Sequence, residues 1–381
     1  MSKRLVICCD GTGNEIDDHH SNVLKLFRVL KKAPSQVVYY DPGLGTLGAH
    51  NEWARLKQNT KKIVGLALGY GLDRNILDAY DFIVDNYESG DQLYFFGFSR
   101  GAYTVRVLAG FINAIGILRP EQKKLCPYAF TAYKQIQDAA TFESIRLYEK
   151  TLRPRHPSIR FLGLFDTVSS VFVPRKDRLF IPSLRKLAFT DENPSVEIVR
   201  HALALDERRT LFRPYLWAHD KTYWGNPFES GTGVDQDTKQ VWFPGVHADV
   251  GGGYAEAESG LAKITLNWMI DESPVELEFV TQTVNQVVLG VPRKGSPHVY
   301  QPPDPLAPMH DSLTALWQPL EWLPKKQGAR EWLARRTYGG FFIPRAEPRS
   351  PDAGAVMHDS VHARIAGCAD YRPINLPALP K

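Results

Sequence analysis

The residue types of this 381-residue chain first suggest chemistry at Gly97-Phe98-Ser99-Arg100-Gly101. G-x-S-x-G turns up by chance, so its flanks must decide. Residues 93–96 are an apolar, β-prone run, and residues 102–115 fit a helix. That is the strand, sharp turn and helix that lift a serine out of a sheet. The two glycines leave space where side chains would collide with adjacent elements. The following helix turns backbone N–H groups, and the positive end of its dipole, toward an oxygen that becomes negative in a transition state. On this reading the Arg100 N–H is one oxyanion donor.

A serine hydroxyl needs a base, and the base needs a carboxylate to orient it. In enzymes with such an elbow the chain order is Ser, then Asp or Glu, then His. Asp166 follows the apolar strand Ile159–Phe165, and the carboxyl end of a strand is where α/β sheets carry their sites. His247 lies after a strand at 240–243, on a loop loosened by Gly245 and Gly251-Gly252-Gly253. His310 and His358 satisfy the same chain order and stand in reserve, whereas His201 reads as a packed or capping residue. A second oxyanion donor would come from the loop after the first strand, Asp10-Gly-Thr-Gly-Asn14, where Gly11 and Thr12 offer backbone N–H groups. Asp10 is expected to fix that loop, and Asp249 to support the site from beside His247.

Other chemistries are less well served. Gly43-Leu-Gly-Thr-Leu-Gly48 matches G-x-G-x-x-G, but Pro42 intrudes and no acidic residue closes a second strand about 20 residues on. Asp10-Gly-Thr12 lacks the second aspartate an aspartyl phosphotransferase would place at position 12. A metal-assisted phosphoesterase built on Asp10, His247 and Asp249 is one alternative, and a non-catalytic binding or regulatory module on the same fold is another. The expectation is a serine hydrolase of acyl esters with no organic cofactor and no metal.

The elements that must position these residues follow a strand–loop–helix alternation. Strands are expected at 4–9, 36–40, 91–96, 159–165 and 240–243, the first uninterruptedly apolar, as in a parallel sheet covered on both faces. Helices are expected from an Asn22 cap, over 59–87 with breaks at Gly69 and Gly71, after the elbow to Gly116, over 121–151, over 196–205 and over 261–270. The fold class is therefore α/β: an α/β-hydrolase-like, mainly parallel sheet with helices on both faces and inserted cap segments. Residues 1–270 form the catalytic domain, with cap-like insertions near 120–155 and 172–195, and residues 271–381 a C-terminal extension packed on it. In that extension prolines punctuate short apolar pieces, and Met-His-Asp-Ser occurs twice, at 309–312 and 357–360, as two similar turns.

Composition removes several classes of function. With 46 Lys+Arg against 42 Asp+Glu the net charge is +4, and the basic residues are dispersed, which argues against nucleic acid as a partner. Hydrophobic residues at 43% and charged ones at 23% exclude disorder for most of the chain. No apolar run approaches the ~18 residues of a membrane span. The partner expected is an ester or lipid substrate, met at most by transient contact with a membrane surface. Four scattered cysteines form no disulfide framework, and Lys3-Arg4 precedes only five apolar residues, too few for a signal peptide. A cytoplasmic protein with reduced thiols is expected, with export confined to routes that need no signal peptide.

Six motifs in order carry a family resemblance: Cys-Asp-Gly-Thr-Gly-Asn (9–14), Tyr-Tyr-Asp-Pro-Gly-Leu-Gly-Thr (39–46), Gly-Phe-Ser-Arg-Gly-Ala (97–102), Phe-Asp-Thr-Val (165–168), His-Ala-Leu-Ala-Leu-Asp-Glu-Arg (201–208) and Trp-Phe-Pro-Gly-Val-His-Ala-Asp-Val-Gly-Gly-Gly-Tyr (242–254). The series resembles the uncharacterised α/β-hydrolase domain family that includes phospholipase effectors of bacterial type VI secretion. It covers roughly residues 4–270, with a weaker tail at His358-Asp-Ser360 and Tyr371-Arg-Pro373. Cys9 stands where the family pattern would place an aromatic residue. The resemblance implies an esterase or lipase triad of Ser99, Asp166 and His247.

Overall fold

A computed structural model describes residues 2–11, 19–43, 60–136, 139–168, 172–174, 182–184, 187–225, 233–315, 317–327, 331–332 and 336–376. Its centre is a seven-stranded sheet in which every pairing is parallel. The strands are β1 (Arg4–Cys9), β2 (Gln36–Asp41), β3 (Gln92–Phe98), β4 (Ile159–Phe165), β5 (Val196–Ala204), β6 (Asp237–Phe243) and the short β7 (Val356–Met357). Their spatial order is β7-β6-β5-β4-β3-β1-β2.

Residues of opposite parity feed two cores, as the two-residue period of a strand requires. Leu5, Ile7, Leu93 and Phe95 pack on one side against α2 (Thr60–Asn86), α3 (Arg100–Ile115) and α4 (Cys126–Tyr133). Val6, Cys8, Tyr94 and Phe96 pack on the other against α1 (Asn22–Val29), α7 (Gly260–Asp271) and α8 (Thr281–Val287). Helices on both faces account for strands with no polar alternation.

Three expectations about elements are corrected. Residues 196–205 form the interior strand β5, not a helix, lying between β4 and β6. A nearly continuous apolar run satisfies helical and buried-strand patterns alike, and β-branched Val196, Ile198 and Val199 favour the strand. The charged residues that blurred the pattern have partners: Arg200 forks onto Asp237 at 2.8 and 2.9 Å and reaches Glu272 at 2.6 Å. The cap of α1 is Ser21, whose Oγ accepts the Leu24 N–H at 3.0 Å. Asn22 instead begins the helix and donates to Val250 O, Ala262 O and Thr265 Oγ1, tying α1 to α7. Finally, α2 runs through Gly69 and Gly71 without a break.

The segment 121–151 divides into a 3-10 turn (Pro120–Leu125), α4 and α5 (Ala139–Leu152). Cys126, Ala129, Phe130, Tyr133 and Ile145 from it extend the core on the α3 side. Of residues 172–195, Phe172–Pro174 pairs antiparallel with Pro182–Leu184, and much of the remainder lies outside the described residues. The C-terminal residues are built into the same body. β7 joins the sheet beside β6, Tyr371 OH donates to Asp206 at 2.9 Å, and Arg364 at the end of α9 (Asp359–Gly367) donates to Ala307 O at 2.7 Å. Among the described residues no helix is long and apolar enough to cross a membrane.

From β1 the chain steps outward to β2, then returns to β3 on the other flank of β1. This reversal puts the topological switch point at the carboxyl ends of β1 and β3, the usual ligand position in open α/β sheets. Asp10 and Gly11 follow β1, Ser99 follows β3, Asp166 follows β4 and His247 opens the short helix after β6.

Candidate active site

Ser99 sits between β3 and α3 with φ +56°, a left-handed conformation uncommon for a residue with a side chain. The flanking glycines are obligatory here. A Cβ at Gly97 would lie 2.6 Å from Ala102 Cα, and one at Gly101 would run into the Cys9 and Asp10 carbonyl oxygens. The strain is held by packing and by the Ser99 N–H, which donates to Phe165 O at 3.0 Å. Asp166 is the second strained residue, at φ +40°, and its N–H donates to Ala202 O at 2.8 Å. Both side chains are thereby turned out from the ends of adjacent strands.

Ser99 Oγ lies 2.8 Å from His247 Nε2, and His247 Nδ1 lies 2.5 Å from Asp166 Oδ2. The hydrogen-bond pattern puts the imidazole proton on Nδ1, donated to the carboxylate, and leaves Nε2 to accept the serine hydroxyl. The ring is walled by Phe98 at 4.7 Å and by Phe212, edge-on, at 4.9 Å. Gly251 is needed for this wall, since a Cβ there would enter the Phe98 ring. All three polar side chains are buried. Such a chain can pass a proton from a hydroxyl to an imidazole while the carboxylate steadies the charge that forms.

Asp166 is held from a second direction. Its Oδ1 accepts from the Ala204 N–H at 2.9 Å and from Arg349 Nη1 at 2.5 Å, and its Oδ2 from Arg349 Nη2 at 2.9 Å. Burial alone would raise this carboxyl, but the Arg349 charge and the His247 bond outweigh it and keep Asp166 well below the usual carboxylate range.

Asp10 holds the loop after β1. It accepts from the Gly11 N–H at 2.6 Å, from Tyr40 OH at 2.8 Å and from Ser21 Oγ. The Gly11 N–H is thus engaged within its own loop, so Gly11 is not a free oxyanion donor in this arrangement. Thr12 lies outside the described residues. Arg100 is the first residue of α3, and first-turn N–H groups have no intrahelical acceptor. Burial lowers its guanidinium pKa to about 10.

Asp249 secures the short helix α6 (His247–Gly251) by accepting the Val246 N–H at 3.0 Å. It also pairs with His310 Nδ1 at 2.7 Å, and His310 stacks on Tyr254. His358 caps α9 by accepting the Ser360 N–H at 3.2 Å. The two Met-His-Asp-Ser segments therefore make different turns, and both reserve histidines are engaged away from Ser99. His201 is a packed residue, as expected, but on β5. Its Nε2 accepts the Thr167 N–H at 3.1 Å, next to Asp166. The three residues of the metal-site alternative do not converge: Asp10, His247 and Asp249 each bond to different neighbours. Among the described residues no group of three or more His, Cys, Asp and Glu side chains gathers as a metal site.

Two residues that contact Asp166 and His247 escape sequence reasoning. Arg349 comes from a proline-rich stretch with no periodic signal, 183 residues from its partner. Glu207 lies inside a quoted motif, yet nothing in its spacing shows that its carboxylate accepts the His247 N–H at 3.2 Å, Arg209 at 2.9 Å and Ser312 Oγ at 2.9 Å.

A parallel sheet carrying a serine on a strained elbow, bonded through histidine to an aspartate at neighbouring strand ends, is an α/β-hydrolase-like arrangement. The chain belongs to the family described as T6SS, phospholipase effector Tle1-like, catalytic domain, whose model matches residues 3–272. It is 34% identical over 228 residues to the uncharacterized protein YEL023C of Saccharomyces cerevisiae, covering 55% of this chain and 32% of that one. The chain therefore spans about a third of that relative's length. Among solved structures, an uncharacterized protein from Pseudomonas aeruginosa is 19% identical with TM-score 0.38, covering 71% of this chain and 45% of the other. The Tle1 effector bound to the VgrG spike of the type 6 secretion system is 20% identical with TM-score 0.35, covering 68% and 52%.

Proposed function

We propose that the protein hydrolyses carboxylic esters of lipids, phospholipids first among them, by a serine acyl-enzyme mechanism. The observation that carries this reading is the unbroken line of hydrogen bonds Ser99–His247–Asp166 at a strained elbow. Ser99 Oγ attacks the ester carbonyl as His247 Nε2 takes its proton. The tetrahedral oxyanion is met by the Arg100 N–H in the first turn of α3, with a second backbone donor from the loop after β1, for which the sequence offers Thr12. His247 then protonates the leaving alkoxide, and water reverses the sequence to release the fatty acid. Asp166 keeps the imidazole in the productive tautomer throughout. Membership of the Tle1-like family supports the lipid ester as substrate.

The test is fatty-acid release from phosphatidylethanolamine and phosphatidylglycerol vesicles by the purified chain, with and without EDTA. Release is expected, and the chelator should leave it unchanged, because every group assigned a role is an amino-acid side chain or backbone amide. Loss of release with EDTA would transfer the reaction to a metal centre and overturn the mechanism.

A further inference from the structure

We propose that Arg349 is a positioning residue of the Ser99–His247–Asp166 line, gripping Asp166 so as to fix its carboxylate against the imidazole and to set how readily His247 takes a proton. The proposal rests on the assignment of that line as the reacting centre and extends it to a fourth member, from a distant part of the chain.

The geometry is that of a built clamp. Two guanidinium nitrogens meet two carboxylate oxygens at 2.5 and 2.9 Å, with both side chains fully buried. Such planar, bidentate pairing fixes orientation as well as distance, which a lysine ammonium cannot do. The guanidinium is itself seated: Nη1 also donates to Ala204 O at 2.8 Å and Nη2 to Phe212 O at 2.5 Å. Those carbonyls belong to the end of β5 and to the turn whose Phe212 ring walls His247. The backbone is tied down too, since Asn375 Nδ2 bridges Arg349 O at 3.0 Å and Leu205 O at 2.9 Å. Arg213 holds Glu347 O and Pro348 O just before it.

The electrostatic consequence follows from counting charge in a buried site. Asp166 facing only a neutral imidazole would be an isolated buried anion, and protonating His247 would relieve it. With Arg349 in place the resting pair is already neutral, so the proton is drawn to His247 less strongly. Other charged groups face the imidazole as well. Glu207, paired with Arg209, lies behind its backbone N–H, and Asp249 on α6 is paired with His310. His201 on β5 approaches through Thr167, with Arg106 and Gln240 on its far side. Glu207 and Asp249 are matched by partners of their own, which leaves Arg349 as the group acting directly on Asp166.

The test reads His247 itself and needs no substrate. Protein labelled with ring-13C histidine is titrated by NMR as wild type, Arg349→Lys and Arg349→Met, with His247→Gln identifying the resonance among the eleven histidines. Arg349→Met should raise the His247 midpoint by about one pH unit, the usual scale for removing one nearby charge. Arg349→Lys, which keeps the charge, should leave the midpoint near wild type but lower kcat/KM with KM little changed, because the fork is gone. An unmoved midpoint in a folded Met variant would overturn the proposal. If the Met variant does not fold, a Lys variant with wild-type kcat/KM would overturn it equally. Because the titration is independent of turnover, failure of the esterase reading would show as an inactive wild type whose His247 still responds to Arg349.

Discussion

Ser99→Ala is expected to lower ester turnover by about 10⁴- to 10⁶-fold, the scale on which removal of a triad nucleophile acts. It should do so with little loss of stability. Alanine keeps the Cβ and the strained φ of +56° that the elbow already accommodates. Among the described residues the hydroxyl's hydrogen bond is the one to His247 Nε2. Close packing of β3 on α3 rests on Gly97 against Ala102, which are untouched. Parallel measurement of kcat and the thermal midpoint separates the two quantities. A large fall in rate with an unchanged midpoint is the expected outcome, and retention of even a tenth of wild-type turnover would remove Ser99 from the mechanism.

Asp166→Asn should fail in both quantities. An amide keeps one acceptor oxygen of the two, so its NH2 must face either Arg349 Nη1 and the Ala204 N–H or Arg349 Nη2 and His247 Nδ1. In the second orientation, which the imidazole can accommodate by moving its proton to Nε2, the productive tautomer is lost. Comparable substitutions in triads cost about 10⁴ in kcat. The same change leaves Arg349 buried beside a neutral group, and breaking a buried ion pair costs about 3–5 kcal/mol. The sign of the pH dependence follows from the direction of the Asp166 shift. Because the folded state holds this carboxyl below its ordinary value, its contribution is full above the unfolded pKa of about 3.9 and is lost as pH falls below that. The stability gap between wild type and Asp166→Asn should therefore be widest near neutrality and narrow in acid. A thermal midpoint equal to wild type at pH 7 would contradict the clamp on Asp166.

The sheet was legible from sequence wherever an apolar run stopped at a glycine-bearing loop, as at Cys9, Phe96 and Phe243. It was not legible at β5, because a strand buried on both faces has no alternation, and Glu197, Arg200 and His201 interrupt its apolar character at the i, i+3, i+4 spacing of a helix. Ser99, Asp166 and His247 could be picked out because each follows a strand end in a fixed chain order, and the fold brings those three side chains together. Chain order alone would equally admit His310 and His358, which the fold assigns to Asp249 and to a helix cap. Arg349 and Glu207 were beyond reach for a different reason. Their roles depend on a tertiary approach of segments far apart in the chain, and a single arginine between prolines carries no local signal. The sequence offers the loop after β1 as an oxyanion donor, but the short bond from the Gly11 N–H to Asp10 is visible only in three dimensions.

The most direct measurement is labelling with a fluorophosphonate probe, which phosphonylates only a base-activated serine. Wild type, Ser99→Ala and His247→Ala are compared in detergent, with the modified peptide identified by mass spectrometry. The account predicts labelling of the wild type at Ser99 and none in either variant. A folded wild type that stays unlabelled, or labels equally well without His247, would contradict it.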